Sequence, residues 1–304
     1  MKTTETYTSS SATHVKFDLY VPNVILRYKG IVQIHHGMGE YSDWYQKFAE
    51  FISNDGYIVV VSDFPGHGTS LNNFEQGYFG YGDSIETLVE DMQRLRNIIS
   101  SRYPELPYFM IGNQFGSLVL RKYMASYGDF IQGAILIGTA GPRHGLFLAK
   151  LLIELDILFK GNMHHSRTMR RFVHDFWIKG FSKRNYKTQD QTQLKKYIDD
   201  PMTDFIYTNQ AYLDILKYLK GVNEIEEIDK IPTYLSIFII SGKKDAFGKK
   251  GKGPLWLYKH LKQKHIKDLT YHLYESDYQD ILHEVNRKEV YHDVLQWLNQ
   301  RTYI

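Results

Sequence analysis

A chain of 304 residues that is 43% hydrophobic can bury a substantial core, and 37 basic against 34 acidic side chains, a net charge of +3, argue against a nucleic-acid partner. With no cysteine, disulfides, thiolate metal sites and a cysteine nucleophile are excluded. No run of about 18 apolar residues occurs, so no transmembrane span is expected. The polar opening MKTTETYTSSSATH has no apolar secretory region, which points to a cytoplasmic location.

Residues 14–22, HVKFDLYVP, alternate apolar and polar and predict an edge strand closed by Pro22. Residues 30–34 form a short apolar run, a buried strand, followed by the loop from His35 to Glu40. Helical periodicity over 44–52 sets Trp44, Phe48, Phe51 and Ile52 on one face. A second buried strand at 57–61 leads into Asp63-Phe64-Pro65-Gly66-His67-Gly68, and 84–101 reads as a helix.

The stretch PYFMIGNQFGS, 107–117, then runs from a short apolar strand through a turn flanked by Gly112 and Gly116 into a helix over 115–127. This is the shape of a nucleophile elbow, a tight strand-to-helix turn that lifts one side chain above the end of a sheet. Glycines are needed where no room is left for Cβ atoms between helix and strand. In G-x-S-x-G the raised residue is serine; here it is Gln114.

A strand at 133–137 follows, and then the rhythm breaks. Residues 142–230 hold an apolar helix at 146–159, a basic stretch at 167–184 and a helix at 211–219, with no convincing buried strand. Alternation resumes with a strand at 235–240, a helix at 254–262, a strand at 269–274 and a closing helix from about 281 to 298. Short buried strands alternating with helices predict an α/β fold with a mostly parallel, doubly wound sheet.

With these elements in place, the chain resembles the α/β-hydrolase family of monoglyceride lipases and lysophospholipases, in the serine-aminopeptidase-like branch. The matching stretches include HHGMGEYSDWYQKFAEFI (35–52), DFPGHGTS (63–70), GNQFGS (112–117), YIDDPMTDFIYT (197–208), SGKKDAFGKKGKG (241–253) and ILHEVNRKEVYHDVLQWL (281–298). They occur in the family's order along nearly the whole chain. The resemblance implies an α/β-hydrolase core at 1–141 and 231–304 with a helical cap at 142–230.

In such enzymes the triad follows the order Ser, Asp, His. The resemblance puts the nucleophile at Gln114, the acid at Asp245 and, by registering 286–290 on the family's pattern, the base at Gln279. Ala246 and Phe247 replace the family's Pro-Val after the acid. It also implies an oxyanion hole made by the backbone N–H groups of Met38 and Phe115. A glutamine amide is neither a nucleophile nor a base at accessible pH. The implied function is therefore a pseudo-hydrolase that keeps an acyl or small-ester pocket, and the bulk of Gln114 is able to fold back into the oxyanion hole.

Two alternatives stay open at this point: an active ester or lipid hydrolase with a misregistered triad or a relocated pair, Ser117 and His283, and a protein-interaction scaffold with a collapsed pocket. Relocation moves each group about 5–6 Å, one helical turn. No cofactor and no metal are expected, since His35-His36 and His164-His165 lack a spaced third ligand. The lysine-rich loop 243–253 lacks the phosphate-loop pattern and reads as solvated. The apolar helix at 146–159 is either buried between cap and core or, as the family implies, lines an acyl tunnel or touches a membrane surface. The sequence leaves the oligomeric state undetermined.

Overall fold

The computed structural model describes residues 1–304 except 11–12, 24–26, 71–75, 81–83, 179–185 and 303–304, and the side chains of 173–178. Eight strands form one sheet: β1 (Lys2–Thr8), β2 (His14–Tyr20), β3 (Gly30–His35), β4 (Tyr57–Ser62), β5 (Tyr108–Asn113), β6 (Gly133–Ile137), β7 (Ser236–Gly242) and β8 (Leu269–Tyr274). Their order is β1-β2-β4-β3-β5-β6-β7-β8. From β4 onward in this order every neighbour is parallel, and only β2 runs against the others, pairing antiparallel with β1 on one side and β4 on the other.

The helices are α1 (Gln46–Asn54), α2 (Ser84–Arg102), α3 (Phe115–Tyr127), α4 (Leu146–Lys160), α5 (Arg167–Ile178), α6 (Gln191–Asp199), α7 (Asn209–Gly221), α8 (Ile225–Ile228), α9 (Lys252–Gln263) and α10 (Arg287–Asn299). β3 to β7 are buried along their whole length, because parallel strands crossed by helices are covered on both faces. One face packs on α2, α3, α7 and α9 through Leu88, Leu118, Tyr212 and Leu257. The other packs on α1 and α10 through Phe48, Ile52, Val294 and Trp297.

Two expectations need correction. Residues 14–22 do not form the sheet edge, because β1 pairs outside β2 over all seven of its residues. β1, KTTETYT, has almost no apolar signal of its own and is held by its backbone ladder, so periodicity could not find it. The closing helix is split: a single 3₁₀ turn at Ile281–His283 precedes α10.

Of the two alternatives for the apolar helix, burial between two layers does not hold for α4. Only Ala149 and Ile153 are buried, whereas Phe147, Leu148, Leu151, Leu155, Leu158 and Phe159 are exposed. At 100° per residue those six fall within an arc of about 120°. Helices α4 to α8 lie in sequence between β6 and β7. The expected basic stretch at 167–184 is covered by α5 up to Ile178, and 179–185 lie outside the described residues. Among the described residues no helix is long and apolar enough to cross a membrane.

Candidate active site

The turn between β5 and α3 has the close packing its glycines require. A Cβ on Gly116 would lie 2.5 Å from the His35 carbonyl oxygen and 2.7 Å from that of His36, and one on Gly112 would lie 2.5 Å from the Gly116 oxygen. All of these neighbours are backbone atoms that cannot step aside. Between the glycines sits Gln114, at φ 48° and ψ −107°. For a residue with a Cβ this conformation costs on the order of 1–3 kcal/mol, held by the packing around it.

The Gln114 side chain folds toward the loop after β3. Its Oε1 accepts the Met38 N–H at 2.7 Å, and Gln114 is only 8% exposed. Met38 is one of the two backbone donors that the family resemblance assigns to the oxyanion hole. Phe115, the other, opens α3 with its ring packed against Phe64, Phe79 and Tyr218.

Asp245 lies in the loop after β7 and is fully buried. Its Oδ1 accepts the Phe247 N–H at 2.8 Å, and its Oδ2 accepts the Gly248 N–H at 3.0 Å and the Ser241 hydroxyl at 3.3 Å. Burial raises its pKa to about 7, against these donors and the Arg143 guanidinium, which favour the carboxylate. Gln279 follows β8. Its backbone oxygen and the Asp245 carboxylate both approach the Cβ direction of Gly138, at 3.8 and 3.2 Å. The fold therefore brings 245 and 279 to the same end of the sheet.

Ser117 and His283 are each engaged elsewhere. The Ser117 hydroxyl donates to the Gln114 carbonyl at 2.5 Å, closing its own helical turn. The His283 ring stacks on Trp44, with Nδ1 2.9 Å from Asp280 Oδ1 and Nε2 donating to the Trp44 carbonyl at 2.8 Å. No hydrogen bond joins Ser117 to His283 among the described residues.

The paired histidines His35 and His36, at the end of β3, are both buried. His36 donates from Nδ1 to the Gly37 carbonyl and accepts the Phe64 N–H at Nε2. Burial, only partly offset by the Gly37 bond and Glu40, lowers its pKa to about 4, so the ring is neutral. His67 donates to the Pro65 carbonyl and accepts from Tyr207, whose hydroxyl in turn accepts the Gly39 N–H. This chain fixes the Gly66–Gly68 turn against the loop that carries Met38.

Beside the elbow stands a buried ionic cluster that sequence reading missed. Lys187, 3% exposed at its side chain, bonds Glu40 Oε1 and lies 3.8 Å from Asp280 Oδ2. Glu40 Oε2 also accepts from the Tyr45 hydroxyl (2.5 Å), the Gly37 N–H (2.8 Å) and Asn113 Nδ2 (3.3 Å). Burial opposes the ammonium, but the Glu40 and Asp280 carboxylates outweigh it and hold the Lys187 pKa above its ordinary value. The backbone around Lys187 pairs with the loop after β8: Asp280 N donates to the Lys187 carbonyl at 2.8 Å, and Gln279 N donates to that of Tyr186 at 3.4 Å. Thr188 and Gln189 both donate to Glu284, and Arg287 pairs with Asp190. A lysine between α5 and α6 with partners 147 and 93 positions away leaves no local signal.

The strand order, with one antiparallel edge and a strained turn at the C-terminal end of a central strand, defines an α/β-hydrolase fold. Within that class the chain belongs to the serine aminopeptidase S33 family, whose profile matches residues 27–286. It is 23% identical to the monoglyceride lipase of Homo sapiens over 285 residues, covering 90% of this chain and 84% of that protein. Among solved structures it is similar to a thermostable carboxyl esterase from Bacillus coagulans, with a TM-score of 0.90, 24% identity and 99% of each chain covered. It is also similar to a soluble variant of the monoglyceride lipase of Saccharomyces cerevisiae, with a TM-score of 0.79, 18% identity and coverage of 99% and 96%. At these identities the structural matches establish the fold.

Proposed function

We propose that this protein is a pseudo-hydrolase of the S33 family, with the nucleophile and base positions of an ester hydrolase occupied by Gln114 and Gln279, and residues 142–230 serving as its cap. The observation that carries the reading is the 2.7 Å bond from Met38 N–H to Gln114 Oε1. An ester carbonyl would need that donor in the transition state, and here a side chain of the protein already uses it. Asp245, satisfied by its own loop, is then a structural acid that stabilises the turn after β7.

The natural chain should show no turnover of short or long p-nitrophenyl esters above background and no labelling by a fluorophosphonate serine probe. Turnover that Ser117→Ala abolishes would establish the relocated pair instead. The occupied sites of Ser117 and the His283 ring support the silent outcome.

The ligand class follows from relatives named as monoglyceride lipases and from α4: a lipid or small ester, met at a lipid surface. Six large apolar side chains on one face of a helix are a contact surface in need of a partner. The protein should cosediment with neutral phosphatidylcholine vesicles, and Leu158→Ser/Phe159→Ser, at positions 76% and 80% exposed, should remove that binding without changing the fold. Equal binding by this variant would refute the membrane role of α4.

A further inference from the structure

A second feature of the 142–230 region lies on the flank of α4, away from the elbow. Where α4 packs on α7 the two helices leave a cleft of about 620 Å³. Pockets that enclose small amphiphiles run from roughly 300 to 1,000 Å³. Its apolar lining comes from Leu146, Leu213 and Leu216, with Phe147, 80% exposed, at the lip.

The polar part of the lining is strongly one-sided. Arg143, Lys150, Lys217 and Lys220 border the cleft, against Glu224 alone. Lys150 and Lys217 have carboxylate neighbours in Glu154 (3.5 Å) and Asp214 (3.3 Å), but both lysines are about half exposed, and such pairs contribute little. Lys220 forms no ion pair among the described residues. The Arg143 guanidinium is anchored by the carbonyls of Ala246 and Phe247 and shares the field of the buried Asp245 carboxylate.

Positive charge continues past Arg143. Lys249 reaches over to the Pro142 carbonyl at 3.0 Å. Burial lowers its pKa, and the charges of Arg143 and Lys252 lower it further, so these three cations share one field. The lysine-rich loop is thereby part of the electrostatic surroundings of this cleft. Its Lys249, Lys250 and Gly251 take three successive positive φ values, 51°, 56° and 79°.

We propose that this cleft binds a single-chain anionic amphiphile, a fatty-acid-type carboxylate whose chain lies on Leu146, Leu213, Leu216 and Phe147 and whose head is met by Lys217, Lys220 and Arg143. An apolar floor alone would accept any chain, and the cations select the head group by charge complementarity. Lys217 and Lys220 approach from α7 and Arg143 from the segment after β6, so a carboxylate between them is met from two sides. The site is separate from Gln114 and does not depend on whether the elbow is inactive.

The test is titration calorimetry with laurate below its micelle concentration, beside uncharged 1-monolauroylglycerol and cationic dodecyltrimethylammonium. Laurate should bind saturably at one per chain and most tightly of the three. Lys217→Gln/Lys220→Glu should weaken it about tenfold, the effect of losing two partly exposed ion pairs. Phe147→Ala, at an exposed position, should weaken laurate and the neutral analogue alike. Circular dichroism checks that each variant is folded; should the double variant fail to fold, Lys220→Glu alone replaces it. Equal binding of all three amphiphiles, or laurate binding that these variants leave unchanged, would overturn the proposal.

Discussion

Ester hydrolysis by the Gln114→Ser/Gln279→His double variant is expected to exceed that of the natural chain by about 10²-fold or more, with labelling by a fluorophosphonate probe appearing at the same time. The basis is the scale of what a nucleophile–base pair contributes, on the order of 10⁶ in kcat in triad enzymes, of which an unevolved site recovers part. Three features favour recovery. The strained φ of 48° at residue 114 already presents that side chain as a nucleophile elbow does. Serine at 114 removes the Oε1 that occupies Met38 N–H. Asp245 and the backbone of residue 279 already flank Gly138. Each single variant should stay close to silent, because the two groups act as a unit. A folded double variant with no turnover and no labelling would mean that the site lost more than its two reactive side chains, and that a scaffold role fits better.

Replacing Lys187 by methionine should destabilise the protein by about 3–5 kcal/mol, the usual consequence of removing one partner from a buried ionic cluster. Methionine keeps much of the volume but leaves Glu40, 0% exposed, without its cation, while Asp280 keeps its contacts with the His283 ring and the Trp44 N–H. The remaining donors to Glu40 are neutral: Tyr45, Asn113 and the Gly37 N–H. Urea unfolding of the two proteins at neutral pH gives the number. A Glu40→Gln/Lys187→Met pair should recover part of the loss, since the stranded charge at 40 is then gone. A loss below about 1 kcal/mol would place the cluster in the class of solvated surface pairs.

The two effects meet at one place. Glu40 shares the short loop after β3 with Met38, and Asp280 follows Gln279 directly. Lys187 therefore ties the segment between α5 and α6 to both loops that frame the elbow. Met38 is fixed from two directions, by the Gln114 amide on one side and by the Glu40 network on the other.

Much of this was legible in the sequence because it rests on local rules. Gly112 and Gly116 announce the elbow because a Cβ at either place meets backbone within 2.5 Å, whatever the rest of the chain does. The strand–helix alternation of β3 to β7 is written in apolar runs of five to seven residues, since parallel strands are covered on both faces. The family resemblance, carried by short motifs in the right order, agrees with the profile matching residues 27–286.

Tertiary structure decided the rest. That KTTETYT is a strand depends on β2 offering it a free edge, and that α4 shows its apolar face to solvent depends on α7 covering the opposite face. The direction taken by the Gln114 amide depends on Met38, 76 positions earlier, and the state of Lys187 on Glu40 and Asp280. Periodicity reports which face of an element is apolar; it carries no information on which distant donor or charge will stand opposite a given side chain, because that pairing exists only after the chain has closed.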